Sequence, residues 1–292
     1  MQSASARKSE SARPKTHELK LAHSPDSDDA FMFYGLATKK IRSGSLSFTH
    51  VLEDIESLNQ KAAKGIYDIT AISFHAYAFL TDRYILLPSG ASFGDRYGPI
   101  VVAQKDLGSK GLRRKTVAIP GKMTTAALAL QLFEPEVETV TFPFDTIFDR
   151  VMDGSADAGV IIHEGQLTYA RKGLRKIVDL GEWWYQEEKL PLPLGGNAIS
   201  RQVDAKTRSL VARLLKDSIE YGLAHREEAL EYSIQFSHGL DMPSADRFVS
   251  MYVNDWTLDY GVRGRKAVQT LLDRGFEKGI IPNKVQAEFV DS

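Results

Sequence analysis

The hydrophobic and polar positions along the chain predict strands and helices that alternate over most of its length. Runs in which apolar and polar residues alternate, and short apolar runs, indicate strands, whereas apolar residues three or four positions apart indicate helices. The predicted strands cover residues 18–24, 45–52, 67–72, 84–89, 98–103, 116–119, 137–142, 158–162, 177–180 and 197–200. The predicted helices cover residues 28–40, 55–64, 75–80, 125–133, 144–153, 211–223, 227–236 and 266–277. This order is typical of an α/β protein.

The order of the elements also predicts a division into two lobes. Strand and helix alternate in two blocks, joined by apolar segments near 101–105 and 190–197, and an all-helical segment follows. We interpret the chain as a two-lobed α/β protein with two crossovers, in which the cleft between the lobes is the expected ligand site. The predicted larger lobe comprises residues 18–103 and 195–292, the smaller lobe comprises residues 104–194, and residues 1–17 are predicted to be a disordered tail.

Composition narrows the classes of function. The net charge is −1 and like charges form no block, so neither nucleic acid nor an anionic membrane is an expected partner. The chain has no cysteine, which excludes a disulfide scaffold, a thiolate nucleophile and a cysteine-built zinc site. There is no secretory apolar run of about 7–15 residues and no apolar span of about 20 residues. A cytoplasmic location is expected, and the oligomeric state is left open.

The strand over residues 158–162 is the predicted centre of the chemistry. Its unbroken apolar run is typical of a parallel strand covered on both faces, and ligands in α/β sheets bind at the carboxyl ends of such strands. His163 follows at that end, and an imidazole can take up or release a proton near neutral pH. A structural histidine is the alternative. Glu164 is expected to be a solvated carboxylate, because adjacent strand residues point to opposite faces.

Three predicted helix starts could direct backbone N–H groups into the cleft, and they lie at Asp28 and Asp29, at Ser73, and at Thr124 and Thr125. Helix N-termini with hydroxyl side chains bind carboxylates and phosphates, although the same residue types also serve as ordinary N-caps. Asp26 adds a third carboxyl to the first of these starts. We predict no metal there, since metal ligands converge from several segments and no second cluster has a recognisable spacing. No nucleotide-binding or hydrolase motif is present.

Several ordered motifs resemble one enzyme family over nearly the whole chain, from about Leu19 to the C-terminal helices. The motifs are Ser24-Pro25 with Asp29 and residues 31–34, the segment 52–59, Gly98-Pro99, Pro120-Gly121 with Thr124-Thr125, Gly159-Val-Ile-Ile-His-Glu164, Asp179-Leu-Gly181 and Leu190-Pro-Leu-Pro-Leu-Gly195. Together they resemble the 1,4-dihydroxy-6-naphthoate synthase family of the futalosine route to menaquinone.

The resemblance implies a type-2 periplasmic-binding-protein-like fold and a lyase without a cofactor. The family acts on cyclic dehypoxanthinyl futalosine, a small-molecule carboxylate, and the histidine of its Ile-Ile-His-Glu motif is thought to be the general base. That histidine falls on His163. Ser73, Thr124 and Thr125 would then hold the substrate carboxylate or hydroxyls. Asp26 and Asp29 are also expected to lie at the substrate.

One motif departs from the family, which often has Ser-Pro-Cys-Pro-Asn-Asp where this chain has Ser24-Pro-Asp-Ser-Asp-Asp29. The two additional carboxyls could alter the substrate or raise a carboxyl pKa by crowding. A solute-binding or sensor protein of the same fold is an alternative function, and a chorismate dehydratase-like enzyme is another. The Ile-Ile-His-Glu and Leu-Pro-Leu-Pro-Leu-Gly stretches favour the synthase over the dehydratase. The role of His75 is not predicted.

Overall fold

The computed structural model describes residues 17–107, 109–236 and 240–291. The predicted disordered tail therefore lies, apart from its last residue, outside the described residues. Within the described ranges, no helix has the length and apolar character needed to cross a membrane.

The strands and helices alternate largely as predicted. The strands are β1 His17–His23, β2 Leu46–Leu52, β3 Ile69–Ser73, β4 Tyr84–Leu86, β5 Ser92–Gly94, β6 Ile100–Ala103, β7 Thr116–Ile119, β8 Glu138–Thr141, β9 Ala158–Ile161, β10 Arg175–Asp179 and β11 Leu192–Ser200. The helices are α1 Ser27–Ala37, α2 Ile55–Ala62, α3 Phe74–Tyr77, α4 Thr125–Phe133, α5 Ile147–Met152, α6 Leu180–Glu188, α7 Ala205–Ala224, α8 Arg226–Ser233, α9 Met242–Tyr252, α10 Asp255–Leu258 and α11 Gly261–Glu277.

These strands form two sheets. The first has the order β2-β1-β3-β11-β4, with β5 paired to β11, and the second has the order β10-β6-β9-β7-β8. In the first sheet β1, β2 and β3 are parallel, while β11 runs antiparallel to its neighbours. In the second sheet β9 is central. It is parallel to β7 but antiparallel to β6, so the predicted parallel strand has a parallel neighbour on one side only.

The chain crosses between the sheets twice, as predicted, but the first crossing lies earlier than expected. Strand β6 belongs to the second sheet, so this crossing occurs before Ile100 and not at residues 101–105. The return occurs before Leu192, and β11 is one continuous strand in the first sheet. An apolar run shows that a strand is buried, but it does not show which sheet buries it. The lobe limits at residues 103 and 195 stay a prediction.

Helix α1 is buried over almost its whole length, from Ser27 to Leu36. It packs against α7, α8 and α9, which belong to the helical C-terminal segment. Its apolar residues join strands β1, β2, β3 and β11 in one core cluster. Because α1 packs against several elements, the position of its N-terminus, which faces the second sheet, is well defined.

Three helices, α6, α9 and α10, lie outside the helical ranges predicted from the sequence. Helix α6 begins at Asp179, whose carboxylate accepts hydrogen bonds from the N–H groups of Gly181 and Glu182. An N-cap Asp followed three residues later by Glu is a helix-start signal that could have indicated it. Gly181 is required there, because a Cβ at this position would lie 1.9 Å from the carbonyl oxygen of Tyr97. Helix α9 begins after Asp241, whose carboxylate accepts from the N–H of Ser244.

Candidate functional site

A cavity of about 120 Å³ lies between the two sheets. It is lined from the first lobe by α1, β3, β11 and α9, and from the second lobe by the start of α4 and the end of β9. The predicted residues Asp26, Asp29, Ser73, Thr124 and Thr125 all line it. The structure therefore brings these residues together at the predicted cleft, which we call the cleft cavity.

The start of α1 supplies the carboxyls of the cleft cavity. Asp29 accepts a hydrogen bond of 2.8 Å from the N–H of Ser24, and Asp28 accepts one of 3.3 Å from the hydroxyl of Ser92. Asp28 and Asp29 are each only 9% exposed. Among the described lining residues of this cavity there is no lysine, arginine or histidine. No cationic side chain in the described lining therefore offsets the cost of burying these carboxyls in their charged form, and the hydrogen bonds from Ser24 and Ser92 offset that cost only in part.

Burial without a cation shifts the titration of both carboxyls. Burial is the largest cause that raises the pKa of Asp28 well above its ordinary value, and the charges of Asp29, Asp26 and Glu164 raise it further. Burial also raises the pKa of Asp29 to about 7, and the charge of Asp26 adds to this, against the hydrogen bond from Ser24. Burial and the neighbouring carboxyls therefore favour the protonated form of Asp28, which has a proton that it can donate.

The hydroxyl residues of the site already have protein partners. Thr124 is an ordinary N-cap, because its hydroxyl oxygen accepts from the N–H of Ala127 at 3.2 Å. Thr125 Oγ1 accepts from the N–H of His75 at 3.2 Å, so this contact joins the two lobes. Ser73 makes two hydrogen bonds with the buried Asn59, through its N–H and its hydroxyl. Each of these side chains is held in place beside the cavity.

Gly121 permits a close approach between the two lobes. A Cβ at this position would lie 2.1 Å from Glu56 Oε2, and the same carboxylate accepts from the N–H of Met123 at 3.2 Å. The close approach is thus between α2 of the first lobe and the segment before α4 of the second lobe.

His163 faces a second cavity. Ile162 lines the cleft cavity, whereas His163 and Glu164 line a neighbouring cavity of about 400 Å³ together with Arg171, Lys172 and residues near the start of α9. The imidazole is 8% exposed and makes edge contacts with the rings of Phe144 and Phe148. We call this second space the histidine cavity, and the segment 162–164 borders both cavities.

The hydrogen bond of His163 fixes its tautomer. Nδ1 accepts from the N–H of Gly165 at 3.0 Å. A nitrogen that accepts carries a lone pair, so in the neutral ring the proton lies on Nε2. In this arrangement His163 can donate a proton from Nε2, and it can accept one only at the nitrogen held by Gly165.

The expectation that Glu164 is a solvated carboxylate is wrong. Glu164 is 2% exposed and accepts a hydrogen bond of 3.0 Å from the hydroxyl of Ser27, at the start of α1. Strand β9 ends at Ile161, so residues 163 and 164 do not alternate across a sheet as residues in a strand would. This hydrogen bond joins the segment that carries His163 to the helix that carries Asp28 and Asp29.

The other buried histidines serve the fold. His23 stacks on Phe33, with its Nδ1 2.9 Å from the carbonyl oxygen of Ser24, and burial lowers its pKa to about 3. His50 contacts His23, and burial lowers its pKa as well. His75 lies with Nδ1 3.3 Å from the carbonyl oxygen of Thr124, and burial again lowers its pKa. None of the three lines either described cavity.

The lining residues of the cleft cavity that were not predicted as site residues include Asn197 of β11 and Phe248 and Tyr252 of α9. Tyr252 donates a hydrogen bond of 2.9 Å to Gln166, which adds another contact between the lobes. The spacing of four residues between Phe248 and Tyr252, after the capping residue Asp241, is a signal that could have indicated this helix face.

Among the described residues, no group of three or more His, Asp or Glu side chains could hold a metal ion.

A family model described as menaquinone biosynthesis matches residues 19–277. The chain belongs to this menaquinone-biosynthesis family. A relative from Thermus thermophilus called 1,4-dihydroxy-6-naphthoate synthase is 38% identical over 273 residues, which covers 93% of this chain and 99% of the relative. A relative of the same name from Streptomyces coelicolor is 32% identical, with 90% and 95% covered. The family resemblance is confirmed, and the chain is an enzyme of menaquinone biosynthesis.

Solved structures confirm the fold of this menaquinone-biosynthesis enzyme. A protein from Archaeoglobus fulgidus has a TM-score of 0.87 and 45% identity, with 90% of this chain and 98% of that chain covered. The alkanesulfonate-binding protein of Xanthomonas axonopodis pv. citri has a TM-score of 0.73 at 13% identity, with 95% and 98% covered. At that identity the likeness shows the fold alone. It confirms the two-lobed, periplasmic-binding-protein-like architecture.

Proposed function

We propose that the chain is a lyase that forms a dihydroxynaphthoate from cyclic dehypoxanthinyl futalosine, with His163 as general base and without a cofactor. The observation that carries the proposal is the 38% identity to a 1,4-dihydroxy-6-naphthoate synthase over 93% of this chain and 99% of the relative. Similarity that spans both lobes includes the cleft between them. The cytoplasmic location stays a prediction, as does the expectation that neither nucleic acid nor membrane is a partner.

The reaction needs a base and good positioning. His163 would remove a proton from the substrate, the electron pair left behind would enter the ring, and the bond to the ribose-derived fragment would break. Aromatisation of the ring supplies driving force, and the electron pairs balance without a redox partner. The enzyme therefore has mainly to hold the reacting C–H bond against the imidazole.

The cleft cavity supports a carboxylate ligand because its acids can be neutral. A charged Asp28 beside a substrate carboxylate would repel it, whereas the protonated acid can donate a hydrogen bond to it. Thr125 and Ser73 would add polar contacts from the two sides of the cavity. Proton removal by His163 would then require the imidazole to release the N–H of Gly165, because that hydrogen bond occupies its lone pair.

The proposal is tested with the purified protein and cyclic dehypoxanthinyl futalosine, in the absence of added metal or nucleotide. Product is followed by absorbance and mass. His163→Ala should lower kcat by about 10²–10⁴-fold, the usual contribution of a general base. The matched control is His225→Ala at the exposed junction of α7 and α8, which should retain wild-type turnover.

Two outcomes would contradict the proposal. Undiminished turnover by folded His163→Ala would assign the base to another residue. Saturable binding of the futalosine compound without product would favour a solute-binding protein or an altered substrate, and turnover of chorismate would favour the dehydratase-like alternative.

A further inference from the structure

Gln166 joins the segment that carries His163 to the opposite lobe. Its side-chain Nε2 donates a hydrogen bond of 3.3 Å to the carbonyl oxygen of Ile161, the last residue of β9. A carbonyl oxygen only accepts, so this contact determines which end of the amide is the nitrogen. The other end, Oε1, therefore faces the hydroxyl of Tyr252, which donates to it at 2.9 Å.

The turn that Gln166 closes is the one that holds the imidazole of His163. The N–H of Gln166 donates to the carbonyl oxygen of His163 at 3.0 Å. Between these two residues, the N–H of Gly165 donates to Nδ1 of the ring at 3.0 Å. Gln166 thus contacts Ile161, before the turn, and His163, within it. A shift of Gln166 would therefore move the backbone that carries the imidazole.

Tyr252 supplies the contact from the first lobe. It lies in α9, which packs against α1 and β5 and against the turn Glu164–Leu167. Tyr252 is buried and lines the cleft cavity. Burial raises the pKa of its phenol, so the hydroxyl keeps its proton and remains a donor near neutral pH. Its hydrogen bond to Gln166 therefore links the wall of the ligand cavity directly to the turn that carries His163.

We propose that Tyr252 and Gln166 are a positioning pair, which places the imidazole of His163 against the reacting C–H bond when the lobes are closed. The inference rests on the proposed function for the role of His163 and adds what fixes this base relative to the ligand. The pair joins residues of different lobes, so its hydrogen bond forms only in the closed arrangement. A misplacement of about 1 Å can cost about 10²-fold in rate, so loss of the pair should lower kcat.

The test is steady-state kinetics of full-length Tyr252→Phe on cyclic dehypoxanthinyl futalosine, together with the Kd of 1,4-dihydroxy-6-naphthoate. The variant keeps the ring that lines the cavity and removes only the donor to Gln166. We expect kcat to fall by about 10–10²-fold. KM and Kd should change by less than about threefold, because the pair does not hold the ligand itself.

The matched control is Tyr84→Phe in β4. It also loses one buried hydroxyl, which donates to the carbonyl oxygen of Tyr67, and Tyr84 lines neither described cavity. This control should retain the wild-type kcat, so a fall in Tyr252→Phe is not the general effect of a lost buried hydrogen bond. Unchanged kcat in folded Tyr252→Phe overturns the inference, as does a rise in KM and Kd without a loss of kcat.

Gln166→Leu separates positioning from a direct contact between Tyr252 and the substrate. Tyr252→Phe and Gln166→Leu remove the same hydrogen bond, so the double variant should have a kcat no lower than that of Gln166→Leu alone. If the hydroxyl of Tyr252 instead acts on the substrate, the two losses multiply, which overturns the inference.

The NMR signal of the His163 ring gives a readout that needs no turnover. The signal is assigned by its absence in His163→Ala. Saturation with 1,4-dihydroxy-6-naphthoate should shift it in the wild type, because the ring current of the bound ligand acts on an imidazole placed against it. The shift should be clearly smaller in Tyr252→Phe and unchanged in Tyr84→Phe. Equal shifts in Tyr252→Phe and the wild type, or no shift in the wild type, overturn the inference.

Together the two readouts distinguish failure of this inference from failure of the proposed function. If turnover occurs and depends on His163 but not on Tyr252, only the inference fails. If turnover is absent and the ligand-induced shift of the His163 signal depends on Tyr252, only the proposed function fails.

Discussion

The two neighbouring cavities differ in the charges of their walls. The cleft cavity is lined by three carboxyls, from Asp26, Asp28 and Asp29, with no cationic side chain among its described lining residues. The histidine cavity also has three acidic residues in its lining, Asp145, Glu164 and Asp241, but there they are accompanied by His163 and by the exposed Arg171 and Lys172. The comparison shows why aspartic acid side chains can line a binding site for a carboxylate ligand. Burial without cations raises the pKa of Asp28 and so favours its protonated form, which can act as a hydrogen-bond donor instead of a negative charge.

The largest effect that tests this difference is the dependence of stability on pH. Burial raises the pKa of Asp29 to about 7, while the unfolded chain loses this proton near pH 3.9. The contribution of Asp29 to the free energy of unfolding therefore falls as pH rises from about 4 to about 7, by on the order of a few kcal/mol. Burial lowers the pKa of His23 to about 3, so its contribution falls as pH drops below about 6.5.

These opposite contributions can be separated by urea denaturation at several pH values. Asp29→Asn removes the contribution of Asp29 while that of Asp28 remains, so its stability relative to that of the wild type should rise as pH rises from about 4 to 6.5. In His23→Gln the second contribution is gone, and stability should fall as pH rises over the same range. An unaltered profile in Asp29→Asn would mean that Asp29 is charged in the folded protein, which would break the comparison between the cavities.

The second effect concerns the segment that borders both cavities. Glu164→Ala removes the acceptor of the fully buried Ser27 hydroxyl and should lower the free energy of unfolding by about 1–3 kcal/mol. The value of kcat/KM should fall as well, because the start of α1 and the segment of His163 lose their direct connection. Urea denaturation and steady-state kinetics measure the two changes.

Glu164→Gln is the matched control for this change. Its amide oxygen can still accept from Ser27, so it should stay closer to the wild type than Glu164→Ala. Ser27→Ala combined with Glu164→Ala should cost less than the sum of the single changes, since both remove the same hydrogen bond. Additive losses would show that the two side chains act separately.

The smallest effect is expected from the cations of the histidine cavity. Arg171 is exposed, so Arg171→Ala should change KM by less than about fivefold, the change being largest at low ionic strength. Steady-state kinetics at two salt concentrations measure it. A rise in KM of a hundredfold would place the substrate carboxylate in the histidine cavity and reverse the assignment of the two spaces.

The sequence by itself determined most of the elements, the two-lobed α/β class and the family. It also placed His163 at the end of a buried strand and Thr124 at the start of α4, because periodicity and capping residues are local signals along the chain. The start of α6 at Asp179 and the face of α9 that carries Phe248 and Tyr252 were equally local, and the capping residues could have indicated them. Ordered motifs over nearly the whole chain were sufficient for the family resemblance.

Only the tertiary structure decided which of these residues share a space. Ser27 and Glu164 are 137 positions apart in the sequence, yet they form a hydrogen bond in the fold. The side chain of Glu164 is buried there, although the alternation of strand residues predicted that it would be solvated. The same holds for the sheet that contains β6, for the cavity that His163 faces, and for the hydrogen bond between Tyr252 and Gln166. The burial and the charge of a side chain depend on residues that are distant in the sequence but close in the fold. The local pattern of apolar and polar residues does not show which residues these are.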